Sequence, residues 1–261
     1  MSLSQRFANG FMPHQSRRPA AENRAFDSFL DEASRLRAFV PPFRFGSFFS
    51  PEDTLLCVCA AEAALAHARL PRRRNGRSPE PLRIAELTTG SGLVGLHLLR
   101  LESGSTLAGM DIDPSAIEAA LHNARTLGAF GRTRFECADL WSRETESLLH
   151  SYEPHLLICN PPYVPEPSFG RLQTEAGAGP AGTLHLFRAV ELAGKTRPRA
   201  LALSWCSLSD PGQVIRAAEA SGYCLNSLFI VVIAEGEYSG SVHDYLRSLP
   251  SAYLKIGRAH V

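Results

Sequence analysis

Four residues in this chain combine types that suit one kind of chemistry: Asn160-Pro161-Pro162-Tyr163, directly after the apolar run Leu156-Leu157-Ile158-Cys159. An apolar run of this length reads as a buried strand. Pro161 and Pro162 lack N–H donors and have fixed φ, so they stop the strand and stiffen the backbone behind it. The side-chain oxygen of Asn160 and the carbonyl of Pro161 are then placed to accept hydrogen bonds from a single nitrogen, with the ring of Tyr163 beside it. Such a socket suits a flat NH2 group. A strand followed by a stiff loop would explain the two prolines alone, but not the amide before them and the aromatic ring after.

A second unit stands upstream. Leu82-Arg83-Ile84-Ala85-Glu86-Leu87 reads as a buried strand, and Thr88-Thr89-Gly90-Ser91-Gly92 turns it into a helix beginning near Leu93-Val94-Gly95. Glycines at such a turn let backbone approach a ligand, and the helix start offers free N–H groups. The next strand, Ser105 to Met110, ends in Asp111, close to the spacing at which nucleotide-binding half folds place an acid on ribose hydroxyls. Asp113, followed by Pro114, fits a helix N-cap better. From Leu82 onward the pattern alternates: strand 82–87, helix 92–102, strand 105–111, helix 114–127, strands 132–138 and 155–160, helix 183–195, strand 199–205, helix 210–221 and strand 224–234. That order predicts an α/β, Rossmann-like doubly wound parallel sheet with its ligand at the carboxyl ends of the strands. Glu86, Asp111, Asp139 and Asn160 all fall at those ends.

Taken together these residues resemble the class I S-adenosylmethionine-dependent methyltransferases, in particular the Asn-Pro-Pro-Tyr group that includes HemK-type release-factor glutamine methyltransferases and enzymes that methylate nucleic-acid amines. The resemblance covers about Phe45 to Ala234. It implies S-adenosyl-L-methionine as cofactor, held by Glu86, Thr88, Gly90, Gly92, Asp111, Asp139, Leu140 and Asn160, with Asn160, Pro161, Pro162 and Tyr163 as the catalytic set. Thr88 departs from the pattern, since the first of three alternating glycines is usual there. Ser50 to Leu56 resembles the Pro-acid-Thr-Leu-Leu segment that precedes the cofactor turn in HemK-like proteins, and Gly179 to Leu184 resembles their glycine loop after the catalytic strand.

Composition agrees with an enzyme of the cytosol. The 261 residues are 44% hydrophobic with a formal net charge of +1, enough for one large core and no global basic field. No apolar stretch approaches the ~20 residues of a membrane span, and the polar start is not a signal peptide. Cys57, Cys59, Cys137, Cys159, Cys206 and Cys224 lack paired metal-site spacing and read as reduced thiols, so neither membrane nor metal is expected. Residues 1–21 are predicted to be disordered. Residues 22–78 form a helical N-terminal region, with an amphipathic helix to Val40, a helix from Pro51 to about Ala68 capped by Ser50 with Asp53 completing a capping box, and a basic linker at 71–79. The methyltransferase domain runs over 79–254. Lys255-Ile256-Gly257-Arg258-Ala259-His260-Val261 matches the translation of a common sequencing adapter, and Lys255 is one of two lysines in the chain. Residues 255–261 are therefore expected to be an artefact, with natural sequence ending near Leu254 and a closing antiparallel strand missing.

The expected reaction is methyl transfer to a planar nitrogen. Its lone pair is delocalised, so orientation and preorganised dipoles matter more than a strong base. A protein glutamine is the first choice of acceptor. An exocyclic amine of RNA or DNA, which would have to be flipped or single-stranded, is the alternative, and a small metabolite the third. Tyr163, with Phe48 or Phe49, would sandwich the acceptor. A cofactor-binding module without turnover is the contrasting class, suggested by Thr88 alone.

Overall fold

A computed structural model describes residues 50–69, 80–168, 176–206, 208–230 and 240–249. The expected helix over 22–40, the linker, Phe48, Phe49 and the 255–261 segment lie outside them. The elements run α1 (Pro51–Ala68), β1 (Arg83–Leu87), α2 (Leu93–Leu101), β2 (Thr106–Asp111), α3 (Pro114–Thr126), β3 (Thr133–Cys137), α4 (Arg143–Tyr152), β4 (Leu156–Cys159), α5 (Leu184–Thr196), β5 (Ala200–Leu203), α6 (Pro211–Ala220) and α7 (His243–Ser248).

The five strands form one parallel sheet in the order β3-β2-β1-β4-β5. Parallel strands covered by helices on both faces should be apolar on both faces. In β4 all four side chains are buried, and in β1 only Arg83 reaches solvent. One core cluster packs Ile84, Leu107, Leu156 and Ile158 under α1, α2 and α3. The other packs Ala85, Leu87, Leu157 and Cys159 against α5. The chain winds outward from β1 in both directions, so the crevice between β1 and β4 opens where the strand order reverses. That is the place where doubly wound sheets bind ligands.

Local chemistry explains several helix starts. The carboxylate of Asp113 accepts from the amide of Ser115 at 2.8 Å, as expected of the N-cap before Pro114. Asp210 caps α6 in the same way, accepting from Gln213 N. Ser50 precedes α1 but makes no side-chain cap bond, so the capping box with Asp53 does not form.

Two further elements depart from the sequence reading. Helix α4 was not anticipated, although Ser142 caps it by accepting from Thr145 N at 3.1 Å. Only Thr145 and Leu149 of α4 are buried, so its apolar period is too sparse to see. The strand expected over 224–234 is absent from its described part. Residues 224–230 take no strand conformation and Leu225 and Leu228 stand exposed. A strand persists through ladder bonds to a neighbour, and none pairs with this stretch among the described residues. Residues 231–234 lie outside the description. No described helix is long and apolar enough to cross a membrane.

Candidate active site

Sheet register assembles the site. Leu87 is level with Met110 on one side and with Cys159 on the other. Thr88 and Asn160, the residues after β1 and β4, and Asp111, the last residue of β2, therefore lie at a common height along its carboxyl edge.

The turn after β1 is held by two acids, Glu86 buried and Asp111 half-buried. Glu86 Oε2 accepts from Thr89 Oγ1 at 2.8 Å and from Gly95 N at 3.2 Å. Burial pushes the Glu86 carboxyl up to about 7, these two bonds counter the rise, and the nearby Asp111 charge adds to it. Asp111 Oδ2 accepts from Gly90 N at 2.8 Å and its Oδ1 from Asp113 N at 3.0 Å. Burial raises Asp111 as well, against the bonds from Asp113 and Gly90. The Asp111 carboxylate keeps lone-pair capacity for a further donor.

Gly90 and Gly92 both take left-handed φ, +53° and +73°. A Cβ at Gly90 would meet nothing within 4 Å, so open space lies against the backbone at the tip of the turn. At Gly92 it would press on Ala120 and Phe135 at 3.1 Å, which makes this glycine a packing requirement. Gly95 is tighter still: a Cβ there would lie 2.6 Å from Leu107 Cδ1 and 2.7 Å from Glu86 Oε2. Thr88, in place of the expected glycine, has φ +49°. A β-branched residue in that region is strained. Its hydroxyl donates to Leu87 O at 2.6 Å and lies 3.6 Å from Cys159 Sγ. The turn thus keeps its geometry at the cost of strain in one residue.

Asp139, past β3, is exposed. Its Oδ1 accepts from Trp141 N at 2.9 Å, and its carbonyl accepts from Thr145 Oγ1 at 2.7 Å. Leu140 is buried, and its carbonyl accepts from Arg188 Nε at 3.2 Å.

At the end of β4, Asn160 Oδ1 is buried and has no hydrogen-bond partner. An orphaned buried acceptor costs on the order of 1–3 kcal/mol and calls for a donor. Pro161 is buried behind it. Burial, with the Asp53 acid adding to it, holds the Tyr163 phenol well above its usual range. The Tyr163 ring packs beside the Val164, Ala176, Val242 and Leu246 cluster. The loop over 176–182 supports this turn from below: Val164 N donates to Ala176 O at 2.9 Å, and a Cβ at Gly182 would lie 2.5 Å from Tyr163 O.

Two residues of the site escaped sequence reasoning. His185, in the first turn of α5, lies near the carbonyl of Pro162, and its Nδ1 is buried without a partner. It also meets the edge of Trp141, with ring centroids 6.4 Å apart. Burial lowers its pKa, against the pull of Asp139 and Glu166, so the ring is neutral near pH 7. Arg188, buried one turn later, ties α5 to the loop after β3 through Leu140 O and to α4 through Glu146 at 2.7 Å. No sequence motif marks either, though a histidine and an arginine on the apolar face of a helix were a visible signal. His155, by contrast, is structural: it is buried and its Nδ1 accepts from Arg83 N at 3.2 Å.

No family model matches the chain. The chain is similar to the release factor glutamine methyltransferase of Rhodospirillum rubrum, with 38% identity over 93 residues, 36% of this chain and 27% of that protein. It is also similar to the release factor glutamine methyltransferase of Chlorobaculum tepidum, 31% identical over 130 residues, 49% of this chain and 44% of that protein. The matches thus span between about a quarter and a half of the relatives' length. Among solved structures, a ribosomal protein L11 methylase from Lactobacillus delbrueckii subsp. bulgaricus superposes with a TM-score of 0.42 at 15% identity, over 67% of this chain and 70% of that one.

Proposed function

We propose that this chain, whose sequence is related to the release factor glutamine methyltransferases over the matched residues, is an S-adenosylmethionine-dependent N-methyltransferase acting on a planar nitrogen, the side-chain amide of a protein glutamine first. One observation carries the reading: the buried, partnerless Oδ1 of Asn160 at the carboxyl end of β4, one strand away from the glycine turn.

The residues present fit the cofactor. Open space lies against Gly90, a helix N-terminus follows Gly92, and the Asp111 carboxylate with spare acceptor capacity faces the same turn. Gly90, Gly92 and Asp111 would hold the adenosyl and amino-acid parts, with Asp139 and Leu140 flanking the base. When bound, S-adenosylmethionine supplies a sulfonium methyl group, an electrophile that needs no metal.

The remaining work falls to this chain. Asn160 Oδ1 accepts one N–H of the acceptor amide, which satisfies the orphan and fixes the direction of the nitrogen lone pair. The two prolines keep that oxygen from turning away. Its dipole, set before the acceptor arrives, favours the positive charge that grows on nitrogen as the new bond forms. The low-dielectric setting of β4 strengthens the effect.

Incubation with methyl-labelled S-adenosylmethionine and, separately, a termination factor, total RNA and DNA tests the proposal. Label on a glutamine of the termination factor is the expected result. Label confined to nucleic acid would overturn the choice of acceptor, and no transfer to any of them would overturn the activity.

A further inference from the structure

The loop from Asp139 to Trp141, between β3 and α4, is folded first on itself. As an aspartate at a turn can, Asp139 accepts from the amide two residues on, Trp141 N at 2.9 Å. Its carbonyl accepts from Ser142 N at 3.0 Å and from Thr145 Oγ1 at 2.7 Å. These bonds shape the loop but reach no further than the first turn of α4. Leu140 ties it to the body of the protein: its side chain packs with Leu149, Leu157, Ala189 and Leu192, and its carbonyl accepts from Arg188 Nε at 3.2 Å.

Arg188 is buried, and every nitrogen of its guanidinium is engaged. Besides the bond from Nε, Nη1 donates to Glu191 at 2.9 Å and Nη2 to Glu146 at 2.7 Å. Lys195 bridges the same two acids at 2.8 and 2.9 Å, which closes a ring of two cations and two carboxylates between α4 and α5. The guanidinium also lies over the Trp141 indole, 5.5 Å from the ring centroid, and His185 meets that indole edge-on. Trp141 is therefore backed by the protein while remaining 46% exposed.

We infer that Arg188 is a positioning residue for the base of the cofactor: by holding Leu140 O and the Trp141 ring at once, it sets the loop that flanks the base. The planar fork makes this possible. Its donors point in fixed directions, so the two carboxylates that orient Nη1 and Nη2 also aim Nε at the Leu140 carbonyl. A lysine ammonium carries the same charge without the fork and cannot serve both carboxylates, the carbonyl and the indole face together. The consequence for the cofactor rests on the function proposed above, whereas the hold on the loop does not.

The chain has two tryptophans, Trp141 and Trp205, so a Trp205→Phe background leaves Trp141 as the reporter of its own loop. The test compares that background with Arg188→Met, Arg188→Lys, Glu146→Leu and the Arg188→Met/Glu146→Leu pair. Acrylamide quenching of Trp141 should rise roughly twofold in Arg188→Met and Arg188→Lys, as the indole loses its cover. The rise should be smaller in Glu146→Leu, and the pair should add little to Arg188→Met. Calorimetry should show S-adenosylhomocysteine affinity falling about tenfold in Arg188→Met and Arg188→Lys, the size of one hydrogen bond from a charged donor. Where methylation is measured, KM for S-adenosylmethionine should rise by a similar factor with kcat within a few-fold, because the loop flanks the base and not the acceptor. Unchanged quenching in Arg188→Met, additive effects in the pair, or full recovery of both readouts in Arg188→Lys would overturn the inference. So would unchanged S-adenosylhomocysteine affinity beside raised quenching, or a loss confined to kcat. A background protein that binds no S-adenosylhomocysteine would defeat the proposed function and with it the cofactor role, leaving quenching to decide the hold on the loop. Should Arg188→Met fail to fold, Arg188→Lys and Glu146→Leu carry the same comparison.

Discussion

Glu86→Gln should change how stability depends on pH. Glu86 is 4% exposed, and burial lifts its carboxyl from an ordinary 4.5 to about 7. Between those values the folded chain retains a proton that the unfolded chain has released. The stability associated with that proton is fully present below about 4.5 and is lost as pH rises to about 7 and beyond, roughly 3 kcal/mol in all. Glutamine keeps a carbonyl oxygen for Thr89 Oγ1 and Gly95 N but has nothing to ionise. Asp111, also raised by burial, adds slope of the same sign, while His155 and His185, both lowered by burial, add the opposite slope. The difference between wild type and variant removes those background slopes. Urea unfolding at several pH values from 4.5 to 8 should show the wild type losing on the order of 3 kcal/mol relative to Glu86→Gln. A difference that stays flat across this range would refute the account of Glu86 as a carboxylate penalised by burial.

Three further outcomes follow from the turn. Gly95→Ala should destabilise by about 1–3 kcal/mol in the same unfolding assay, although alanine is the better helix former, because its methyl meets Leu107 and Glu86; a gain in stability would mean that the contact relaxes freely. Thr88→Gly should stabilise by roughly 0.5–1 kcal/mol, the relief of left-handed threonine exceeding the added freedom of the unfolded chain. A loss would mean that the hydroxyl bonds to Leu87 O and Cys159 outweigh the strain. Asp111→Ala should weaken S-adenosylhomocysteine binding at least tenfold by calorimetry, given about 1.5–3 kcal/mol for each charged hydrogen bond; unchanged affinity would remove Asp111 from the ribose site.

Local signals carried the sheet and its edge into the sequence reading. The apolar run of β4, the mostly apolar β1, the Asp113-Pro114 helix start and the prolines after Asn160 act within a few residues, so each could be read without knowing the fold. What escaped depends on partners distant in the chain. Asp53 has the form of a capping-box acid, and nothing near it in sequence shows that its charge bears on Tyr163. His185 and Arg188 gain their roles only when α5 is laid against the loops after β3 and β4. Helix α4 was missed because two buried side chains in ten leave no period. The run after Cys224 has the composition of a strand, but composition does not provide a neighbour to pair with.

Asn160→Ala is the most direct test of the central claim. Asn160 presents its orphaned oxygen to the acceptor, so the variant should fold and bind S-adenosylhomocysteine within a few-fold of wild type. Its turnover should fall by roughly 10²–10³, the size of effect seen when one preorganised group facing a transition state is removed. A folded Asn160→Ala protein that methylates the same acceptor at the wild-type rate would contradict the account.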